Sequence, residues 1–325
     1  MLLYKVILYN RKVYILLITI YSMTKQSNIK INCESCKGQN VKKNGLRQTE
    51  NRGLIQRYKC KECSHRFVLD DSFKRMRNSP KKITLCLDLF YRGVSTRKIR
   101  EHLRAFYPHN SSDVSIYKWI VRYSKKISKF TDNLKLQVGK ELQVDEMEYS
   151  RRKFPNKKGT DRNWLINSID TKTRFMVASE YVKAREQEEI KQVLRQAKKK
   201  TEKQFEKITT DGLLAYEDAI RKTFGLKKKN KYFGVEHNRV NASKGEGFNI
   251  IVERLHNSIR HRTKTFRGFH GSVESANAIM KGFVVYYNFI TKHQALNKCP
   301  YELATDLRLE NDNKWLDLIK LSVNN

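Results

Sequence analysis

The sequence predicts a mixed α/β fold, a sheet flanked by helices, preceded by a small metal-held ribbon and a helical segment. Three observations carry this. Two Cys-x-x-Cys pairs stand near the start, three capped helical patterns follow, and short β-branched runs then alternate with amphipathic stretches. A chain of 325 residues has room for roughly two or three such domains. Its 67 Lys and Arg against 33 Asp and Glu give a formal charge of +34, spread along the chain. That balance points to a polyanionic partner, and the interleaved Tyr, Phe and Trp favour nucleic acid over a lipid surface.

Residues 1–24 read as a leader. Lys5, Arg11 and Lys12 precede an apolar run over 13–21, which is shorter than the roughly 20 residues a bilayer requires. Met23 offers an internal start, so the leader is expected to lie upstream of the translated protein. Residues 25–72 form the ribbon. Cys33 and Cys36 form one knuckle and Cys60 and Cys63 the other, joined by a β segment with Gly45, Gly53 and an alternating Ile55, Arg57 strand. Four thiolates at this spacing hold one structural Zn²⁺, with His65 nearby as an alternative ligand. Cys86 and Cys299 sit among apolar residues and read as buried thiols. Thiols kept for metal imply a reducing compartment, here a cytoplasmic, nucleoid-associated one, and no membrane.

Residues 78–132 carry the helical patterns of a helix-turn-helix. Ser79-Pro80 opens the first helix, which ends at Gly93; Ser95 caps the second; and the turn at Asn110-Ser111-Ser112 opens the third over 113–129. Lys118, Arg122 and Lys125 on the third helix are candidate DNA contacts.

From residue 138 to 305 the pattern changes. A strand over 142–147 is followed by a basic loop over 151–162 carrying Arg151 and Arg152. Strands over 163–169 and 174–182, a charged helix over 186–200, a strand over 207–210, a helix from Leu213, a strand over 232–235 and further helices complete it. That order is like that of ribonuclease H. Residues 306–325 are left as a C-terminal tail. Acids at strand ends of an open α/β sheet meet in the crevice above it, which brings Asp145 and Asp211 together. On the helix near 249–260, Ile251, Val252, Leu255 and Ile259 form one side, and Glu253, Asn257 and Arg260 the other. In so basic a chain, clustered carboxylates suggest a hard cation held by oxygen.

These residues resemble the DDE-type transposases of prokaryotic insertion sequences, relatives of the retroviral-type integrases. The matching residues are Gln143-Val144-Asp145-Glu146, Thr209-Thr210-Asp211-Gly212, and Glu253 with the basic Arg260 seven residues on. Tyr287-Asn288-Phe289, His293-Gln294-Ala295-Leu296 and Pro300 are similar to the segment closing such domains. One departure is a longer interval between Asp211 and Glu253 than in the best-known subfamilies. Glu246 is the competing third acid, but it lies between two glycines with no basic residue at the right distance.

The resemblance implies that Asp145, Asp211 and Glu253 bind two Mg²⁺ or Mn²⁺ ions about 4 Å apart. It implies cleavage at transposon ends followed by attack of the freed 3′-OH on target DNA. The expected partners are terminal inverted repeats, target DNA and further copies of this chain, with Arg260 holding a phosphate. Two other functions stay open: a zinc-ribbon DNA-binding regulator with an idle core, and a metal-dependent nuclease that joins nothing.

Overall fold

The computed structural model describes residues 5–9, 12–16, 31–50, 53–74, 76–107, 111–152, 160–202, 205–226, 234–240, 249–263, 269 and 272–323. The chain divides into two compact units, Met1–Leu69 and Asp70–Asn325.

In the first unit, β1 (Lys5–Tyr9) and β2 (Lys12–Leu16) pair antiparallel. Strands β3 (Val41–Thr49), β4 (Gly53–Cys60) and β5 (Arg66–Phe67) form a separate antiparallel sheet. Its buried apolar centre is only Cys33, Cys60 and Phe67, edged by Ile31, Val41 and Tyr58. A core that small needs a staple. The unit ends at Leu69, short of the expected 72, because Ser72 and Phe73 pack into the larger unit: Ser72 Oγ donates to Ile319 O, and Tyr123 Oη donates to Ser72 O.

The second unit opens with α1 (Pro80–Tyr91), α2 (Thr96–Phe106) and α3 (Asp113–Thr131). Ser79, Ser95 and Ser112 each accept from the backbone N–H three residues on, satisfying an orphan donor of the first turn. The three helices share one continuous core with the sheet that follows, so the expected separate domain over 78–132 has no core of its own. Gly282 sits where α3 and α1 meet α7 (Val273–Val285): a Cβ there would overlap Tyr91 Oη and Ser124 Oγ. Those two oxygens bond at 2.7 Å, and Tyr91 Oη also donates to Ile279 O.

The sheet holds β6 (Glu141–Glu148), β9 (Trp164–Asp170), β10 (Met176–Val182), β11 (Lys207–Thr210) and β12 (Glu236–Arg239) in the order β10-β9-β6-β11-β12. It is mixed: β6 is antiparallel to β9 and parallel to β11. The short pair β7 (Arg151–Arg152) and β8 (Thr160–Asp161) lies in the stretch expected as a loop. Helix α4 (Gln187–Thr201) packs on β9, β10 and α5 (Leu214–Phe224), while α6 (Ile250–Thr263) packs on β6 and β9. Buried residues run without alternation along β9 and β10, as covering of both faces requires. Among the described residues the last strand lies at 236–239; of the strand expected over 232–235, residues 232 and 233 lie outside the described residues. Val235 instead bridges Leu226, and the parallel ladder to β11 starts at Glu236.

Two helical elements follow one another, α7 (Val273–Val285) and a π-helical turn, Tyr286–Ile290. In that turn buried Asn288 pairs with both backbone groups of Met176 on the edge strand, at 2.9 Å each. After α8 (Tyr301–Ala304), the chain ends in α9 (Lys314–Leu321) rather than a tail. Trp315, Leu318 and Ile319 are buried, and Trp315 stacks on Tyr91 at 5.4 Å. Among the described residues, no helix is long and apolar enough to cross a membrane.

Candidate functional site

Strand pairing alone creates the opening for the acidic cluster. The ladder between β6 and β11 stops at Gln143 opposite Thr209, and β11 ends at Thr210. Beyond that point one flank of β6 faces the turn into α5. Asp145 and Glu146 emerge there beside Asp211, and carboxylate oxygens of the three lie within 4.8 Å of one another. Asp211 also does a turn residue's work, since its Oδ1 accepts from Leu213 N at 3.0 Å.

The neighbours sort these acids by role. Glu146 Oε1 takes Arg185 Nη1 at 2.8 Å and its Oε2 takes the Tyr216 hydroxyl at 2.5 Å, in a side chain only 2% exposed. Both oxygens are thus engaged by neighbouring side chains, each with a lone pair left, and Glu146 stays within the acidic group. Burial and the facing Glu146 push the Tyr216 phenol well above its usual range. Asp145 keeps fewer partners: Oδ1 accepts from Glu146 N at 2.9 Å, and Oδ2 lies 3.6 Å from His256 Nδ1. Burial first, then the charges of Glu146, Asp211 and Glu253, push the Asp145 carboxyl up to about 7. Glu253 is exposed on the first turn of α6, outside the tight group but near enough for its charge to act on Asp145.

Helix α6 reaches this position because Gln143 clamps its start. Gln143 Oε1 accepts from Ile251 N at 3.1 Å and Val252 N at 3.2 Å, two donors a helix N-terminus leaves unpaired. One turn further, His256 settles on a row that crosses three strands. Asp145 on β6 faces Asn167 on β9, which faces Ser179 on β10. Ser179 Oγ donates to Asn167 Oδ1 at 2.7 Å, and Asn167 Nδ2 meets His256 Nε2 at 3.1 Å. An amide nitrogen only donates, so Nε2 is the acceptor and the ring proton sits on Nδ1, toward Asp145. Burial, aided by the Arg260 charge, pushes the His256 imidazole down to about 3, which keeps the ring neutral. Gln143 stood in the sequence only as a motif residue without a role, and His256, Asn167 and Ser179 escaped sequence reasoning. Only the interval of three between Glu253 and His256, one helical turn, hinted at any of them.

Arg260 lies exposed on the outer side of α6, with Nη1 donating to Asn257 Oδ1 at 3.4 Å. On α3, Lys118, Arg122 and Lys125 are exposed. Lys125 pairs with Glu274 of α7, and the Arg122 guanidinium lies 5.8 Å from the Tyr123 ring. Trp119, on the same helix, faces the core. Arg151 and Arg152 occupy β7. The basic stretch 227–231 and Glu246 lie outside the described residues.

At the other end of the chain, Cys33 Sγ lies 3.6 Å from Cys63 Sγ and Cys36 Sγ 3.6 Å from Cys60 Sγ, with all four within 4.8 Å. A Zn–S bond of about 2.3 Å in a tetrahedron requires sulfurs roughly 3.8 Å apart, far beyond the roughly 2.05 Å of a disulfide. The donor set fits Zn²⁺. His65 stacks on Phe67 at 6.0 Å and is not needed for it.

Residues 157–294 match a protein-family model described as a DDE domain, of the IS240 transposase type. The match contains Asp211 and Glu253, and Asp145 lies just before it. No curated protein gives a significant match to the chain. Among solved structures, the chain is similar to the cryoEM structure of the simian T-cell lymphotropic virus intasome in complex with PP2A regulatory subunit B56 gamma. The identity is 12% and the TM-score 0.35, covering 70% of this chain and 74% of that one.

Proposed function

Starting from a chain that carries a DDE transposase domain, we propose that it is a DNA transposase, cleaving at transposon ends and transferring the freed 3′-OH into target DNA. The observation that supports this best is the meeting of Asp145 and Asp211 beyond the end of β11, in a protein of charge +34, under a helix that brings Glu253. Asp145, Asp211 and Glu253 would hold Mg²⁺ or Mn²⁺. The fit is chemical: hard oxygen donors crowded together, with one carboxyl pushed up by burial and by its neighbours' charge. When bound there, the ions polarise the scissile phosphate and make water or a 3′-OH a competent nucleophile.

The chain's own residues supply the frame. Gln143 sets the helix, neutral His256 orients Asp145, and Arg185 with Tyr216 fixes Glu146 beside it. Arg260, on the same side of α6 as Glu253, would contact a phosphate near the reacting strand. Arg151 and Arg152, Lys118, Arg122 and Lys125, and the ribbon held by its Zn²⁺ would follow the DNA backbone, and synapsis of two ends would require more than one copy.

The test is a cleavage and joining assay with labelled DNA from the ends flanking the gene and Mg²⁺ or Mn²⁺, wild type beside Asp211→Asn. Metal-dependent 3′-OH ends and joined products from wild type alone are expected. Cutting without joining would make it a nuclease, and tight binding with no cutting would make it a regulator.

A further inference from the structure

A cavity of about 940 Å³, lined by none of Asp145, Glu146, Asp211 and Glu253, opens between α6, the π-helical turn, the segment after it, the β9–β10 turn and the end of α1. Its lining is one-sided in charge: five arginine or lysine side chains and, among the described residues, no Asp or Glu. Asp88 neutralises one of them, Arg92, at 2.6 Å. Arg174, Arg254 and Lys292 have no carboxylate within ion-pair distance among the described residues. Two lining atoms, Arg174 Nη1 and His293 Nδ1, are buried and lack a hydrogen-bond partner there. The Arg174 guanidinium can only donate, and a buried donor without an acceptor is costly, so Arg174 Nη1 marks where a ligand's oxygen belongs. Burial and the charges of Arg174 and Arg254 push the His293 imidazole down, as an uncompensated positive field should.

The aromatic lining narrows the ligand. The π-helical turn brings consecutive Tyr286 and Tyr287 to the lining beside the cations, Tyr286 stacked on one side against Tyr91 and Tyr287 against Phe283. Clefts of about 300–1,000 Å³ hold drug-sized molecules, so this one takes a nucleotide or two of one strand and not a duplex. Phosphate-binding cations with stacking rings suit unpaired nucleic acid.

We propose that this basin binds an unpaired DNA strand through its phosphates and bases, at a site separate from the carboxylates. The inference deepens the reading of the chain as acting on DNA and rests on it. Binding of a labelled oligothymidine to the full chain, by fluorescence anisotropy across a salt series without divalent metal, tests it. Arg254→Ala with Lys292→Ala should reduce the log–log salt slope by about 1.4, at about 0.7 per phosphate contact on a single strand, and weaken binding at least about tenfold at low salt. Tyr287→Leu should weaken binding with the slope unchanged. Lys199→Ala with Lys320→Ala, two exposed lysines elsewhere, is the control for general charge. An unchanged slope in the cavity pair, or an equal loss in the control pair, overturns the proposal. So does full competition by pyrophosphate with no effect of Tyr287→Leu, which would leave an anion pocket. Wild type that joins DNA ends yet shows no cavity effect removes this site alone. A cavity effect without cutting removes the transposase reading alone.

Discussion

Replacing Asp145 by Asn should stabilise the metal-free protein while removing its response to metal. A carboxyl whose pKa rises from 3.8 to about 7 on folding binds its proton more tightly in the folded chain. Below about pH 4 both states are protonated and the group costs nothing. The cost grows as pH rises from 4 to 7 and is complete above 7. At about 1.4 kcal/mol per pH unit, three units give on the order of 4 kcal/mol above pH 7. The side chain is 15% exposed, so the conversion needs little discount for solvent. Asn keeps the Oδ1 acceptor for Glu146 N but turns a donor toward His256 Nδ1–H, which returns about 1–3 kcal/mol. The net gain is on the order of 2 kcal/mol, or roughly 4–8 °C in Tm for a domain this large. Thermal melts in EDTA at pH 8 and pH 5 measure it, and the gap should shrink by more than half at pH 5. Mn²⁺ at a hundred times its Kd should raise wild type by about 2.7 kcal/mol and leave the variant nearly unmoved. A variant that melts below wild type in EDTA at pH 8 would refute the electrostatic account of the site.

The remaining predictions concern the frame around the site. His256→Ala strips Asn167 of its acceptor and Asp145 of its neighbour. Stability should fall by about 1–3 kcal/mol and Mn²⁺ affinity by about 10–100-fold, read by calorimetric titration; unchanged affinity would deny His256 a positioning role. Gly282→Ala should lower Tm by an amount worth about 1–3 kcal/mol, because the added methyl collides with Tyr91 and Ser124 where three helices meet. A chelator strong enough to strip Zn²⁺ should expose four thiols to Ellman's reagent and leave Cys86 and Cys299 silent. Both are buried, and burial pushes the Cys86 thiol up to about 12. A chelator that changes no thiol count would argue against the metal.

Local chemistry made much of this protein legible in its residues alone. Ser79-Pro80, Ser95 and Ser112 announce helix starts because a short hydroxyl side chain satisfies the first free N–H without help from the fold. The strand over 207–210 and the four-cysteine pattern are equally local, since periodicity and ligand spacing need only neighbours in sequence. Where the strand was expected over 232–235, apolar residues supplied the signal, yet the pairing falls on Glu236–Arg239. A parallel register is decided by the partner strand, whose residues lie far away in the chain.

Taken alone, then, the sequence determined the four-cysteine cluster, the helix caps, the mixed α/β order and the acids Asp145, Asp211 and Glu253 as a candidate set. Only the tertiary structure decided that Glu146 is occupied by Arg185 and Tyr216, and that His256 lies between Asp145 and Asn167, the latter 89 positions away in the chain. It alone merged the helical segment and the supposed tail into one core, and collected cations from α1, α6 and the β9–β10 turn around one cavity. The physical reason is common to all of these. Caps and metal knuckles satisfy polar groups over a few residues, whereas burial, charge pairing and repulsion depend on which distant side chains the folded chain brings within a few ångströms.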